Sequence, residues 1–130
     1  MKYEIVIGLE THVRVGSITK MFDAVPNAVA LERDPNINIW PLSLGLPGAL
    51  PTLSEGVVDL AVRASHGLRM TVNTFSQFDR KSYFYPDLPL GYQITQLFHP
   101  LSEHGHLDAF VGEELKRFKI RRIHIEADAG

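Results

Sequence analysis

The sequence predicts an α+β fold in which one helix flanks a largely antiparallel sheet. Apolar residues recur at helical spacing over residues 54–68, whereas most of the second half alternates with a period of two between short turns. Strands that follow one another without intervening helices are typical of antiparallel pairing. The length of 130 residues, with 45% hydrophobic and 22% charged residues, fits one globular domain.

The N-terminal segment predicts the first strand, because apolar and polar residues alternate over residues 3–13. Glu10 and His12 are two positions apart in this segment. Their side chains are therefore expected on one face of the strand, about 7 Å apart.

Residues 36–53 predict an apolar, buried loop, since prolines together with Gly45 and Gly48 exclude a regular helix or a long ladder. The surrounding segment, Pro35–Ser54, carries no charge but contains four prolines at positions 35, 41, 47 and 51. A membrane-spanning helix is not expected there, because proline breaks the helical hydrogen-bond pattern.

The helix is predicted from Ser54 to Leu68. Ser54 suits the N-cap, Glu55 suits the first turn, and Gly67 lies where a left-handed C-terminal cap is expected. The positions expected to face the core are Val57, Leu60, Ala61, Ala64 and Leu68.

Four further strands are predicted in the second half, at Met70–Phe75, Gly91–Phe98, Leu107–Val111 and Leu115–Ile125. Turns are expected at residues 103–106, which read EHGH, and at Gly112–Glu113. Alternation beyond Leu115 places Arg122, His124 and Glu126 on one face.

Charge and cysteine content exclude several classes of protein. A net charge of −2 argues against a basic surface over the whole chain, although a local basic patch stays open. The absence of cysteine excludes disulfides, a thiol nucleophile and a thiolate zinc site. The first residues, MKYEIVIGLETH, carry charges that do not suit a signal peptide, so we expect a cytoplasmic protein without a membrane partner.

Two acid–histidine pairs, Glu10 with His12 and His124 with Glu126, are the first candidates for chemistry. If their strands were neighbours, oxygen and imidazole ligands would converge on a divalent cation such as Mg²⁺ or Mn²⁺. The alternative is that each histidine is simply solvated or satisfied by local hydrogen bonds.

Residues 78–96, FDRKSYFYPDLPLGYQITQ, are the second candidate. Arg80 and Lys81, followed by Tyr83 and Tyr85, suit an anion-binding lip with aromatic surfaces for stacking. The alternative is a cross-over loop fixed by aromatic burial and stiffened by proline. A phosphate-binding loop of the Walker type is absent from the sequence.

Four strings in this order and spacing carry a family resemblance: VIGLETHV, LGLPGALP, FDRKSYFYPDLPLGYQITQ and IHIEADAG. From Tyr3 to Gly130 the chain resembles the N-terminal part of the B subunit of aspartyl/glutamyl-tRNA amidotransferase, the GatB family. The resemblance implies part of a catalytic cradle similar to the glutamine synthetase and guanidino-kinase fold.

The activity that this resemblance implies is a carbon–nitrogen ligase reaction with glutamine as amido donor. The B subunit in that family uses ATP and Mg²⁺ to phosphorylate the side-chain carboxylate of mischarged Glu-tRNA(Gln) or Asp-tRNA(Asn). Ammonia, released from glutamine by the amidase, which is the A subunit, then displaces the phosphate. The implied partners are this amidase, the small C subunit and the mischarged tRNA.

The resemblance also implies residue roles. Glu10, His12 and Glu126 would belong to the metal and acyl-phosphate site, with His124 as a further ligand or a supporting partner. The anion would be held by Lys81 with help from Arg80, and Tyr83 and Tyr85 would line the pocket.

The chain departs from the family pattern at several positions. A four-cysteine zinc site found in many members would fall on Asp23, Val25, Trp40 and Ser43. Those side chains cannot rebuild it, and we expect packing of Val25 and Trp40 to replace the metal, with no structural zinc.

Two further departures concern the candidate site. Ala127 stands where the family has a second glutamate, and Leu90 stands where a lysine is common before GYQI. Because Gly130 ends the chain inside a family motif, we expect an incomplete domain that lacks the helical and tRNA-binding parts and is inactive alone. The alternatives are a scaffold that docks on an amidase and a free-standing nucleotide-binding domain.

Overall fold

The computed structural model describes residues 2–27 and 36–128, which form one α-helix and two antiparallel sheets. In chain order the elements are α1 (Glu55–Gly67), β1 (Thr71–Val72), β2 (Asp79–Ser82), β3 (Tyr92–Thr95), β4 (Ser102–Val111) and β5 (Glu114–Ile123). One sheet has the order β1-β4-β5, and the other consists of β2 and β3. The predicted α+β fold with antiparallel pairing is confirmed.

Helix α1 forms where it was expected, but its cap and its buried face differ in detail. Ser54 takes the extended N-cap backbone, yet its hydroxyl lies 3.2 Å from the Thr19 hydroxyl instead of capping the helix. Ala64 is exposed, and the buried face runs through Val57, Ala61 and Ser65.

The predicted left-handed cap at Gly67 is wrong. Gly67 is the last helical residue, and the positive φ of 53° belongs to Arg69. The amide of Met70 donates to the Ser65 carbonyl at 2.9 Å, so the chain closes the helix just after Gly67 and enters β1 at once.

The predicted turn at residues 103–106 is wrong, because this segment lies inside β4. Gly105 permits this course, since an added Cβ would lie 2.6 Å from the Leu68 carbonyl oxygen and would overlap the Met70 side chain. The amide of His106 donates to the same carbonyl at 2.9 Å, which ties β4 to the end of α1. The tight turn at Gly112–Glu113 is confirmed, with Gly112 at φ 64°.

Residues 78–96 contain an antiparallel hairpin, β2–β3, and not a cross-over loop. Its strands pair from Asp79 opposite Thr95 to Ser82 opposite Tyr92. Ile94 of β3 joins Phe22 and Leu42 in the buried core, and Phe78 packs edge-to-face on Phe22 with ring centroids 5.1 Å apart.

The predicted first strand is wrong for this structure. Residues 2–14 are exposed and form no strand; within the stretch 2–27, the one isolated bridge joins Thr19 and Pro26. The alternating side chains stand in solvent, with Leu9 92% exposed and Ile5 86% exposed. Alternation favours a strand only where a second backbone is available to pair with it. None of β1 to β5 pairs with residues 2–14.

The loop at residues 36–53 is less buried than predicted. Leu42 is buried in the core, whereas Leu50 is 80% exposed and Trp40 is 44% exposed. Pro35, which belonged to the charge-free segment, and Gly130, which ends the matched motif, lie outside the described residues. No helix in the described part of the chain is long and apolar enough to cross a membrane.

Arg69 and Arg117 hold Asp108 and thereby connect β4, β5 and the end of α1. Arg117 contacts both carboxylate oxygens of Asp108, at 2.7 Å and 2.8 Å, and Arg69 contacts one at 3.1 Å. The hydrogen bonds from Arg117 are the largest cause that lowers the pKa of Asp108, from 3.8 to about 2, and Arg69 adds to the effect.

We expect Gly105→Ala to destabilise the fold by about 2 kcal/mol or more, because the new methyl group meets the rigid Leu68 carbonyl. Urea unfolding measures the change. Gly67→Ala is the matched control: its Cβ meets nothing within 4 Å, and alanine favours the helix by about 0.5–1 kcal/mol. Equal stability of Gly105→Ala and the wild type would refute the close approach.

We expect Asp108→Asn to flatten the acid limb of the stability curve. A carboxyl group whose folded pKa is depressed stabilises the fold above its unfolded pKa of 3.8, and this contribution is lost as pH falls towards 2. Thermal unfolding between about pH 5 and pH 2, the range over which this carboxyl group titrates, should therefore show a steeper loss of stability in the wild type than in the variant. Asp87→Asn, in an exposed loop, controls for removal of a carboxylate; an identical acid slope for Asp108→Asn and the wild type would contradict the expectation.

Candidate functional site

His124 and Glu126 come together, as the alternation predicted, in the segment that follows β5. The His124 Nε2 lies 3.4 Å from the Glu126 Oε2, and the two side chains are 20% and 15% exposed. Thr95 of β3 donates its hydroxyl to the same Glu126 oxygen at 2.8 Å. The carboxylate is therefore held in one orientation at the edge of solvent.

The segment carrying Glu126 is itself fixed by polar side chains of β3 and the residue after it. The side-chain amide of Gln93 donates to the Ala127 carbonyl at 2.7 Å. Gln96 accepts the amide of Ile125 at 3.1 Å, and the Ala127 amide donates to the Ile94 carbonyl at 2.9 Å. β5 ends at Ile123, two residues earlier than predicted, because this segment turns to β3 for its hydrogen bonds.

Gln93, Thr95 and Gln96 were not identified as site residues from the sequence. They are 5%, 7% and 2% exposed, so all three polar side chains are buried. The available signal was YQITQ itself, a strand with three polar residues in five, which a solvent-facing alternation does not explain.

Glu10 and His12 form a separate, exposed pair. The His12 Nε2 is 4.0 Å from the Glu10 Oε1, with side chains about 70% exposed. Within residues 2–27 and 36–128, no group of three or more histidine, aspartate or glutamate side chains is positioned to hold a metal. The two acid–histidine pairs therefore do not converge here, because the N-terminal segment pairs with none of the five strands.

Arg80 and Lys81 point to opposite faces of the β2–β3 hairpin, as consecutive strand residues must. Lys81 pairs with Gln93 and shares the face of Thr95, whereas Arg80 pairs with Ile94. The Arg80 guanidinium lies 4.5 Å from the centroid of the Tyr92 ring. Arg80 and Lys81 therefore do not face the same side of the hairpin in this structure.

The aromatic residues of the hairpin loop are largely exposed, so aromatic burial does not fix this loop. Phe84 is 97% exposed and Tyr85 is 55% exposed, while Tyr83 is half-buried. The Lys81 Nζ lies 5.9 Å from the centroid of the Tyr83 ring. Tyr83 is thus the aromatic ring found near Lys81, the cation on the Thr95 face.

The four positions that match the family's zinc cysteines do not fit a zinc ion, since a carboxylate, a hydroxyl, a valine and a tryptophan supply no thiolate. Asp23 is buried; it accepts the amide of Val25 at 2.9 Å and the hydroxyl of Ser43 at 3.4 Å. Val25 is buried as expected, but Trp40 is 44% exposed. The Ser43–Asp23 hydrogen bond joins these two loop segments, whereas the bond from Val25 is local to the Asp23 segment.

The two other departures from the family pattern are packing positions. Ala127 and Leu90 both lie against the core cluster of Phe22, Leu42 and Ile94. A methyl group at position 127 therefore extends the core, and Glu126 is the acidic residue that remains beside His124.

Comparison with known proteins decides the family. Residues 5–130 match the GatB/GatE catalytic domain family. The chain belongs to this family. It is 45% identical, over 130 residues, to the B subunit of the aspartyl/glutamyl-tRNA(Asn/Gln) amidotransferase of Pseudothermotoga lettingae. It is 48% identical over 128 residues to the B subunit of the same enzyme in Nitratidesulfovibrio vulgaris.

A plant relative is equally similar. The chain is 47% identical over 133 residues to the chloroplastic/mitochondrial B subunit of the glutamyl-tRNA(Gln) amidotransferase of Physcomitrium patens. These alignments cover 98–100% of this chain but only 23–27% of the length of each relative. The chain thus spans about a quarter of the length of the curated relatives it matches.

We expect Thr95→Val to destabilise the chain by about 1–2 kcal/mol, because the isosteric change removes the hydrogen bond to the Glu126 carboxylate. Thr95→Ser keeps the hydroxyl and should recover most of the loss. Urea unfolding compares both variants with Thr71→Val, an exposed threonine of β1. Wild-type stability of Thr95→Val would show that this hydrogen bond does not hold the segment.

Proposed function

We propose that the chain is part of the catalytic cradle domain of an ATP-dependent amidotransferase that converts Glu-tRNA(Gln) or Asp-tRNA(Asn) into the correctly amidated tRNA. The family match over residues 5–130 supports this proposal, together with the names of its relatives. The observation that carries it in the structure is the His124–Glu126 pair fixed by Thr95.

The proposed reaction has two balanced steps. An oxygen of the substrate side-chain carboxylate attacks the γ-phosphorus of ATP, and ADP leaves, which gives an acyl phosphate on the tRNA. Ammonia then attacks the acyl carbon; inorganic phosphate leaves with the bonding electron pair, and the nitrogen loses a proton. Such phosphoryl transfer depends mainly on positioning and on neutralising phosphate charge.

The donor chemistry at Glu126 and His124 fits Mg²⁺ or Mn²⁺, since carboxylate oxygen and imidazole nitrogen suit these ions. Mg²⁺ commonly keeps several waters and uses one or two protein carboxylates, so a two-donor pair is consistent with it. Glu10 and His12 stay in the proposal as a separate acid–histidine pair, because they do not converge on Glu126 and His124 in this structure. When bound, the ion would neutralise charge on the transferred phosphoryl group.

Lys81 is proposed as the anion contact for phosphate or substrate carboxylate, because it shares the hairpin face of Thr95. Tyr83 and Tyr85 are proposed to line the site beside Lys81. Arg80 lies on the opposite face of the hairpin, over the Tyr92 ring, so the proposal gives it no direct contact with that anion.

The amidase (the A subunit), the small C subunit and the mischarged tRNA are the proposed partners, with tRNA held mainly by parts of the relatives that this chain does not match. A scaffold role is the second candidate, and the exposed apolar N-terminal segment favours it. Ile5, Ile7 and Leu9 are 79–92% exposed, which suits a segment that packs on another polypeptide.

We expect the chain to bind Mn²⁺ and Mg²⁺ saturably, and Glu126→Gln to weaken this binding about tenfold or more, because one anionic ligand is lost. Calorimetry with and without ATP measures the affinity. Glu113→Gln, in the exposed β4–β5 turn, is the matched control and should bind like the wild type.

Two results would count against the proposal. Equal metal affinity of Glu126→Gln and Glu113→Gln would remove Glu126 from the metal site. No saturable binding by the wild type would favour the scaffold role for this chain, provided that it still associates with a purified amidase.

A further inference from the structure

The two faces of the β4–β5 hairpin carry different charges. Residues opposite each other across the two strands share a face, and His106 is opposite Lys119 while Asp108 is opposite Arg117. We call this side the basic face; its cationic and imidazole residues are Arg69, His104, His106, Arg117, Lys119 and Arg121. The other side balances Lys116 and Arg122 with Glu103 and Glu114.

The basic face is continuous and accessible. His104, His106, Arg117, Lys119 and Arg121 line one shallow depression together with the backbone neighbours Gly105 and Ile120. Arg69 reaches the same side, with its Nη1 3.2 Å from the His106 Nε2. Arg69, Arg117, Lys119 and Arg121 are all exposed.

The balance of charge on this face is positive although the chain has a net charge of −2. Asp108 is its one acidic residue within β4 and β5, and Arg69 and Arg117 both contact it. Lys119 and Arg121 form no ion pair within the described part of the chain. Two cations are thus left to face a ligand, and the arginine pair around Asp108 adds further positive charge.

The spacing of the cations suits an extended polyanion better than a small anion. Arg117, Lys119 and Arg121 alternate along β5 and cover about 14 Å. They run along a strand and do not converge on one point, so a single phosphate can contact only part of the row. Phe110 and Leu115, opposite each other at the hairpin tip, are 72% and 61% exposed on the same side.

We propose that the basic face binds the phosphate backbone of RNA, with Phe110 available for stacking on an unpaired base. A row of lysine and arginine side chains beside an exposed ring fits a ligand that carries both phosphates and bases. The choice of RNA among polyanions rests on the proposed function. The location of the surface rests on the charges of the hairpin alone.

The test measures binding of a fluorescein-labelled RNA hairpin to the chain by anisotropy, between about 50 and 200 mM salt. Lys119→Ala combined with Arg121→Ala removes two cations from the basic face. The charge-matched control combines Lys116→Ala with Arg63→Ala, which also removes one lysine and one arginine. Both control residues are exposed and lie in ion pairs away from the basic face.

We expect the basic-face variant to bind RNA about tenfold or more weakly, and its salt dependence to lose about one unit of slope per lost phosphate contact. The control should keep wild-type affinity and slope. Circular dichroism confirms that each variant is folded, and Lys119→Gln with Arg121→Gln serves as a second pair. Equal RNA binding by the basic-face variants and the control would overturn the proposal.

Two further arms separate the ligand classes and the two proposals. Binding of phosphatidylserine vesicles or polyglutamate that is as tight as RNA binding would overturn the assignment to RNA. Mn²⁺ calorimetry on the same variants reports on Glu126 independently. If the variants at Lys119 and Arg121 lose RNA binding and keep wild-type Mn²⁺ affinity, the basic face is supported. If the Glu126 metal test fails, the effect of Lys119 and Arg121 on RNA binding still stands.

Discussion

The rest of this structure depends on the hydrogen bonds of the Gln96 side chain. It is 2% exposed; its oxygen accepts the amides of Leu101 and Ile125, and its nitrogen donates to the Ser76 hydroxyl. One buried amide thus connects the end of β3 to the approach to β4 and to the segment that carries Glu126. Because a buried polar group without partners is costly, the three segments must stay together for Gln96 to be satisfied. Within the described ranges no buried side-chain nitrogen or oxygen lacks a partner.

This arrangement explains why the candidate site is built at the join of the two sheets. Thr95 orients Glu126 from the same strand whose next residue, Gln96, fixes the backbone of Ile125. Core packing reaches the site as well, since Ala127 follows Glu126 and lies against the cluster of Phe22, Leu42 and Ile94. The orientation of one carboxylate is therefore set jointly by a hydroxyl, by buried amides and by apolar contacts, as expected for a preorganised ligand side chain.

The sequence predicted local features well and long-range pairing poorly, and particular residues show why. Helix α1, the Gly112–Glu113 turn and the proximity of His124 and Glu126 depend on neighbours within a few residues, and all three were predicted. The turn at residues 103–106 failed because its glycine, read as a turn signal, instead accommodates the carbonyl of Leu68, a contact set by tertiary structure. The strand predicted at residues 3–13 does not form here because alternation indicates that a segment could cover one face, but it does not identify the partner that would cover it. Gln93, Thr95 and Gln96 were missed because their polarity serves a buried segment that lies about thirty residues away in sequence, a separation that periodicity does not reveal.

Charge segregation on the β4–β5 hairpin follows from the same period of two that makes a strand amphipathic. In ELKRFKIRRI the odd-numbered positions 117, 119 and 121 are all cationic, whereas the even-numbered positions from 116 to 122 read Lys, Phe, Ile and Arg. A strand that only needed solubility would gain it from mixed charges on one side. Here the basic face carries four cations and one acid, and Arg69 and Arg117 both contact that acid, whereas the other side balances its two cations with two acids. The mutual repulsion of aligned cations costs stability in the free chain, and an anionic ligand along the row removes that repulsion. A face of this kind is therefore better explained by what it binds than by what it contributes to folding.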